Sequence, residues 1–390
     1  MSNVGTRSVD LLDVEDLIPD EERAMQSVVR KFATETLRSL LDEHYEAGTF
    51  PVELAQEFGK LGVLGMHLDG YGCSGSSALA YGLACLELEA VDSGFRSFVS
   101  VQGSLAMYSI YRFGSEDQKQ EWLPRMAQGE LIGCFGLTEP DHGSDPGSMR
   151  TRARRYGSDW VLDGSKMWIT NAPIADVATV WAQTEDGVRG FLVPAGTPGF
   201  EAHTINQKLS LRASKTGALF LDGVRLPASS MLPEAKGLRG PLSCLSEARY
   251  GIVFGAVGAA RDCLEATLAY ATEREQFGKS LAAFQLTQEK LADMSLELTK
   301  AMLVALRLAQ LKDGSGVSPA QISVGKLNNV REALQIARTC RTILGGAGIT
   351  LDYSPLRHAN NLESVLTYEG TSEIHMLAIG QELTGFSAYR

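Results

Sequence analysis

The chain reads as an α+β fold in three parts: an N-terminal α-helical domain over 1–132, a middle antiparallel β domain over 133–237, and a C-terminal four-helix bundle over 238–390. Two observations give this division. Apolar residues recur at helical spacing up to about Phe113 and again after Gly240. Between Gly133 and about Leu232 helix-length patterns vanish, and short apolar runs are punctuated by Asp-Gly pairs, the strongest local signal of a hairpin.

In the first part, Asp20 is the expected N-cap of a helix reaching about Glu46, with Met25, Val29, Phe32, Leu37 and Leu41 on its apolar stripe. A second helix runs from Pro51 to about Leu61 and stops at Gly62. The run Gly70-Tyr71-Gly72-Cys73-Ser74-Gly75 lacks the spacing and the preceding strand of a phosphate loop, so it reads as a turn. Helical pattern resumes over Ser77 to about Glu89 and Phe98 to about Phe113, with Asp92 to Ser97 as the connection. In the middle part, hairpins are expected at Asp163-Gly164, Asp186-Gly187 and Asp222-Gly223, giving a small sandwich or barrel. In the third part, Ala248 to about Glu275 carries Gly251, Gly255, Gly258 and Ala259 on one face, which suits close helix packing. Leu281 to Leu311 is periodic, Ser318-Pro319 caps and opens a helix ending at Gly345-Gly346, and Thr371 caps a last helix with Glu373 in its acid-favouring first turn.

A net charge of −11 argues against nucleic acid or an anionic membrane as the main partner. No apolar run approaches the roughly 20 residues of a membrane-spanning helix. The acidic N-terminus has neither a signal-peptide nor a transit pattern. A cytoplasmic protein of a bacterium is expected, or one of the mitochondrial matrix if a presequence has been removed. Cys73, Cys85, Cys134, Cys244, Cys263 and Cys340 are scattered and read as free thiols in a reducing compartment. Neither they nor the six histidines show metal-ligand spacing, and no catalytic metal is expected.

Chemistry concentrates in Leu366-Thr367-Tyr368-Glu369-Gly370-Thr371-Ser372-Glu373, where a carboxylate sits beside a glycine, a phenol and a hydroxyl. Gly370 allows a sharp turn, and a Glu held against apolar neighbours has its pKa raised, which suits a general base. Taken alone, the stretch reads better as an ordinary helix-to-helix loop with a solvated Glu. Two further segments change the balance: Cys134-Phe135-Gly136-Leu137-Thr138-Glu139-Pro140-Asp141-His142-Gly143-Ser144 and Lys166-Met167-Trp168-Ile169-Thr170-Asn171. With Tyr368-Glu369-Gly370-Thr371, Arg274-Glu275-Gln276-Phe277-Gly278, Phe284-Gln285 and Leu344-Gly345-Gly346, they resemble the acyl-CoA dehydrogenase flavoenzymes, in that family's order and along essentially the whole chain.

The resemblance implies an FAD cofactor, an acyl-CoA substrate and α,β-dehydrogenation with Glu369 as the catalytic base. It places Phe135, Leu137, Thr138, Gly143, Ser144, Trp168, Ile169 and Thr170 around the flavin, with Trp168 as wall and Thr170 as a hydrogen-bond donor. Arg274 would bind the pyrophosphate with Phe277 nearby, Gln285, Leu344, Gly345 and Gly346 would reach it from an adjoining subunit of a homotetramer, and Thr371 and Glu373 would complete the cofactor site. Ser144, Leu242, Arg249, Tyr368 and Gly370 are the residues carried over to the CoA and thioester side. The electron acceptor implied is an electron-transfer flavoprotein.

Asp92-Ser93-Gly94-Phe95-Arg96-Ser97-Phe98-Val99-Ser100 bears on the acyl group. An Arg in an apolar acyl pocket would be an unpaired buried charge unless the substrate brought a carboxylate to pair with it. The stretch is similar to the glutaryl-CoA dehydrogenase branch of the family, which implies that Arg96, Ser97 and Ser100 bind a distal carboxylate, that the substrate is glutaryl-CoA, and that CO₂ is lost after oxidation. Glu89 and Tyr368 resemble the decarboxylating pattern. The alternatives are a dehydrogenase for another short-chain or dicarboxylyl-CoA without decarboxylation, an oxidase passing electrons to O₂, and a non-enzymatic binding protein on the same scaffold.

Overall fold

The computed structural model describes residues 9–389; residues 1–8 of the expected first domain and residue 390 lie outside. The first part is helical throughout. Helix α1 (Asp20–Phe32) passes through a π-helical turn (Ala33–Leu37) into α2 (Arg38–Ala47). Pro19, not Asp20, is the N-cap: its extended backbone starts the helix, and Asp20, Glu21 and Glu22 fill the first turn, where carboxylates meet the positive end of the helix dipole. Helix α3 (Leu54–Leu61) stops at Gly62, which takes φ +75. Strands β1 (Asp69–Gly70) and β2 (Cys73–Ser74) pair across the expected glycine-rich turn.

Helix α4 (Ala78–Val91), capped by Ser77, is buried along nearly its whole length. The segment expected as a connection, Asp92 to Ser97, is instead the start of α5 (Ser93–Ser100), because the Asp92 carboxylate accepts from the Gly94 N–H at 2.7 Å and caps the helix. A second π-helical run (Val101–Met107), α6 (Tyr108–Phe113) and α7 (Glu116–Ala127) complete this part. Helix α7 was not legible in the periodicity, since it is polar and carries Pro124 in its interior.

The middle part is a seven-stranded sheet of β3 (Gly133–Gly136), β4 (Arg152–Tyr156), β5 (Asp159–Thr170), β6 (Val177–Thr184), β7 (Gly187–Pro194), β8 (Phe200–Thr204) and β9 (Thr216–Leu226), in the order β3-β6-β4-β5-β9-β8 with β7 on β6. It is mixed rather than purely antiparallel. β3 arrives from the helical domain and lies parallel to β6, pinned where Ile132 O accepts from Asp176 N and the Asp176 carboxylate accepts from Ile132 N. Of the three pairs only Asp186-Gly187 falls at a hairpin, where Glu185 and Asp186 form the loop and Gly187 opens β7 opposite Thr184. Asp163-Gly164 and Asp222-Gly223 lie inside β5 and β9, where the Asp163 carboxylate accepts from the Gly223 N–H at 2.8 Å beside a register shift. The same dipeptide chemistry here builds an irregularity in two long strands instead of a turn.

The last part holds α8 (Arg239–Glu273), the short β10 (Glu275–Gln276) and β11 (Lys279–Ser280), then α9 (Gln285–Asp313), α10 (Pro319–Ile343), α11 (Pro355–Thr367) and α12 (Ser372–Thr384). Helix α8 begins earlier than Ala248, and α11 is a fifth helix that the sequence did not show. The small residues of α8 serve close packing as expected. A Cβ at Gly258 would come within 1.9 Å of Leu86 O, so α8 and α4 touch backbone to backbone there, and one at Gly255 would come within 1.8 Å of the Glu89 carboxylate. Ser318 and Gln321 form a capping box on α10, and Thr371 caps α12. Five cysteines are buried free thiols and Cys73 is half-buried. Among the described residues no helix is long and apolar enough to cross a membrane, and no cluster of His, Cys, Asp and Glu could hold a metal ion.

Candidate active site

A cleft of about 1880 Å³ opens where the three parts meet. It is lined by Arg96 and Ser97 of α5, by Phe135 and the loop after β3 (Leu137, Thr138, Gly143, Ser144), and by Trp168, Ile169 and Thr170 of β5. Leu242 and Arg249 of α8 and the α11–α12 connection Tyr368-Glu369-Gly370-Thr371 close it. Residues far apart in sequence thus converge, as expected.

Glu369 is held in an unusual backbone state. Its φ is +53, a left-handed conformation that costs a non-glycine residue of order 1–3 kcal/mol, and Gly370 follows at φ +100. The loop is fixed through three consecutive carbonyls: Arg249 Nε donates to Glu369 O at 2.6 Å, and Lys326 Nζ donates to Tyr368 O at 2.7 Å and Gly370 O at 2.6 Å. The Glu369 N–H has no acceptor among the described residues, and its Oε2 is buried without a partner. Burial raises the Glu369 pKa above its ordinary value, against the pull of Arg96, Lys326 and Arg249. A carboxylate on a cleft wall, with one oxygen buried and a raised pKa, has the properties of a base.

Arg96 is 1 % exposed and not unpaired, which corrects the sequence argument: Glu89, itself fully buried, accepts from Arg96 Nε at 2.6 Å and neutralises it. Nη2 donates to the Tyr368 hydroxyl, which lies 3.3 Å from Ser97 Oγ. Burial alone would lower the guanidinium's pKa, but Glu89 and Tyr368 hold it well above the ordinary value. Burial pushes the Tyr368 hydroxyl up to about 12. Arg96 Nη1 has no acceptor among the described residues, leaving donors for a ligand. Ser100 does not line the cleft: it is fully buried, packed into the helical core a turn beyond Arg96.

On the opposite wall, Trp168 is 58 % exposed with φ +62, beside a register shift in β5 that turns the indole to the cleft. The Leu137 and Thr138 N–H groups have no acceptor among the described residues. The loop bearing them is braced by Lys166, which donates to Leu137 O at 3.1 Å and to the Glu139 carboxylate at 2.9 Å. Glu139 also accepts from Arg150 N at 2.6 Å and Thr151 N at 2.9 Å. An aromatic wall facing free N–H groups and hydroxyls is a donor set that fits a flavin ring.

Burial raises and these bonds outweigh it, so Glu139 is held down at about 2; Lys166 is lowered by burial to about 8. The depressed carboxylate contributes stability that is complete above its unfolded value near 4.5 and is lost as pH falls toward 2. Glu139→Gln is expected to cost about 3 kcal/mol at pH 7, with Lys166 shedding its proton rather than standing as an unpaired buried charge. Thermal unfolding from pH 7 to 3 checks both statements; an unshifted midpoint in the variant would refute the brace.

Arg274, Phe277, Gln285, Leu344, Gly345, Gly346 and Glu373 do not line this cleft. Arg274 ends α8, about 37 Å from Arg249 at 1.5 Å per helical residue, and therefore cannot share a single-chain site with it. Phe277 is 95 % exposed at the tip between β10 and β11; Gln285, Gly345, Gly346 and Glu373 are exposed, and Leu344 is buried beneath the end of α10. Sequence reading missed Lys326, Lys166 and His375. A signal existed for the first: Lys326 and Asn329 stand among Ile322, Val330 and Ala333 on the buried stripe of α10, where polar residues need a reason.

Three family models match in chain order: "Acyl-CoA dehydrogenase, N-terminal domain" over residues 19–130, the middle domain over 134–224 and the C-terminal domain over 235–384. Among solved structures, a glutaryl-CoA dehydrogenase from Mycobacterium smegmatis in complex with FADH2 is 67% identical, covers 98% of this chain and 99% of its own, and superposes with a TM-score of 0.97. A second structure of glutaryl-CoA dehydrogenase from that organism is 62% identical, with 98% and 100% covered and a TM-score of 0.98. Among curated proteins, the human mitochondrial short-chain specific acyl-CoA dehydrogenase is 36% identical over 373 residues, 94% of this chain and 90% of that protein.

Proposed function

The chain belongs to the acyl-CoA dehydrogenase family and is an FAD-dependent acyl-CoA dehydrogenase; from that premise we propose that it oxidises glutaryl-CoA and decarboxylates the product to crotonyl-CoA. The observation that carries the choice of substrate is Arg96, a buried guanidinium on the cleft wall with Nη1 unassigned, flanked by Ser97 and the Tyr368 hydroxyl. A distal carboxylate entering there meets a fork of donors matched to its geometry. The 67% identity to a glutaryl-CoA dehydrogenase supports the same reading.

Glu369 removes the proton from Cα of the thioester. When bound, FAD supplies the two-electron acceptor that takes the β-hydrogen with its electron pair. Enolate charge on the thioester oxygen needs a donor at the moment it develops, and the free Glu369 N–H is suited to supply it. The Cγ–carboxylate bond of the enoyl product then breaks, CO₂ leaves, and the electron pair spreads into a dienolate. The protonated Glu369 returns its proton to Cγ, giving crotonyl-CoA and restoring the carboxylate. Trp168, Thr170, Leu137 and Thr138 would hold the flavin ring, and Ser144, Leu242 and Arg249 the CoA side. Arg274, Phe277, Gln285, Leu344, Gly345, Gly346 and Glu373, absent from the cleft, would serve a cofactor site completed by further copies in a homotetramer. An electron-transfer flavoprotein would reoxidise the enzyme.

The likeness to a short-chain specific dehydrogenase favours one other reading, oxidation of a short straight-chain acyl-CoA. Anaerobic mixing of the yellow protein with glutaryl-CoA and, separately, butyryl-CoA decides between them. Flavin bleaching and crotonyl-CoA from the first, with little response to the second, are expected. Preferential bleaching by butyryl-CoA would discard the carboxylate pocket.

A further inference from the structure

Lys326 does not itself line the cleft, yet it is the most direct support of the residue that reacts. Its side chain is 1 % exposed on α10, and its ammonium bridges the carbonyls immediately before and after Glu369. Those two bonds and the one from Arg249 commit three successive carbonyls to the protein side of the loop, which orients the intervening peptide groups and keeps Glu369 at positive φ. A loop held only by apolar packing would relax such a conformation. The ammonium is also close enough to act electrostatically on the Glu369 carboxylate.

We propose that Lys326 is a positioning residue for the reaction: it fixes the Glu369 backbone in its left-handed state and, as a buried cation, keeps the carboxylate ready to accept a proton. The inference rests on Glu369 as the base. The ionisable groups around the pair are Arg249 from α8, Arg96 from α5, the Tyr368 hydroxyl and His375 from α12. Burial depresses His375 to about 3, so it stays neutral, its Nδ1 lying 2.9 Å from Ser323 Oγ. Burial likewise brings Lys326 down to about 7, opposed by Glu369. Glu369 thus favours the charged form of Lys326, and removing that charge raises the Glu369 pKa further.

Two variants separate hydrogen bonding from charge. Lys326→Met removes both; Lys326→Gln keeps amide donors and removes the charge. Each is purified with its flavin content and unfolding midpoint measured, then mixed anaerobically with glutaryl-CoA and with butyryl-CoA across pH 5 to 9. Flavin reduction in K326M is expected to fall about 100-fold, within the range ascribed to proton transfer by a positioned group. Substrate affinity should stay within about threefold and the preference between the two thioesters should be unchanged, because Arg96 is untouched. In both variants the acid limb of the reduction rate should move to higher pH, and K326Q should retain more rate than K326M. Wild-type rate and an unmoved acid limb in either flavin-loaded variant would overturn the assignment. Failure of both variants to fold or hold flavin would equally overturn it, by assigning Lys326 to the fold alone. A fully active E369Q enzyme would instead remove the base on which the inference rests, a separate failure visible without either Lys326 variant.

Discussion

Flavin reduction in Glu369→Gln is expected to fall by about 10⁴-fold, the upper part of the range for losing a general base, with the yellow colour and substrate binding kept. The reason lies in how the residue is held. The amide fills the same volume, and the loop is fixed by its carbonyls through Arg249 and Lys326, which the substitution does not touch. Only the proton acceptor is lost. Because the carboxyl pKa is raised by burial, the wild-type rate should fall as the pH drops through that raised value, and the residual rate of the variant should show no such limb. Rapid mixing with substrate, read at the flavin band, measures both. Full reduction at the wild-type rate would exclude Glu369 as the base.

The second large effect concerns Arg96. Arg96→Met alone strands Glu89, a carboxylate with no exposed surface, and breaking a buried pair in this way costs about 3–5 kcal/mol. The informative variant therefore removes both charges, Glu89→Gln with Arg96→Met, which restores neutrality to the α4–α5 interface. In this double variant, turnover of glutaryl-CoA is expected to drop about 10³-fold or more, since the substrate's carboxylate enters a site stripped of its guanidinium donors, while butyryl-CoA should change by less than tenfold. The ratio of kcat/KM for the two thioesters is the measurement. A preserved preference for glutaryl-CoA would place the selecting group elsewhere in the cleft.

How much of this was legible in the chain depended on the range of the interaction. Glu369, Trp168, Thr138 and Arg96 stand in local motifs and could be read there. The start of α5 was missed although its capping residue Asp92 was in view, because a cap is recognisable only once the helix it serves is known. The three Asp-Gly pairs had identical local chemistry, yet pairing between distant strands made one a hairpin turn and two the halves of a single irregularity. Lys326 lies 42 residues from Tyr368 in sequence, and its purpose exists only after α10 and the loop before α12 have packed together. The same holds for Arg96: taken as a lone charge awaiting a substrate, it turned out to have a resident counter-ion seven residues earlier, one α4–α5 corner away. Residues that the resemblance assigns to a cofactor contact, such as Arg274, could be named from their motif but are not placed in the cleft by one chain's geometry.

The contact between α4 and α8 carries a consequence for how such a chain can diverge. With a Cβ at residue 255 falling 1.8 Å from the Glu89 oxygen, Gly255, Glu89 and Arg96 are not three independent choices. Any side chain at 255 evicts the carboxylate, eviction strands the guanidinium, and a stranded guanidinium is a liability whatever the substrate. Drift at one position is therefore penalised by the other two, and a descendant that abandons the acyl preference must cross a valley of unstable intermediates or replace all three together. On the proposed reading of Arg96, selection for a substrate is stored partly in a glycine that does not line the cleft.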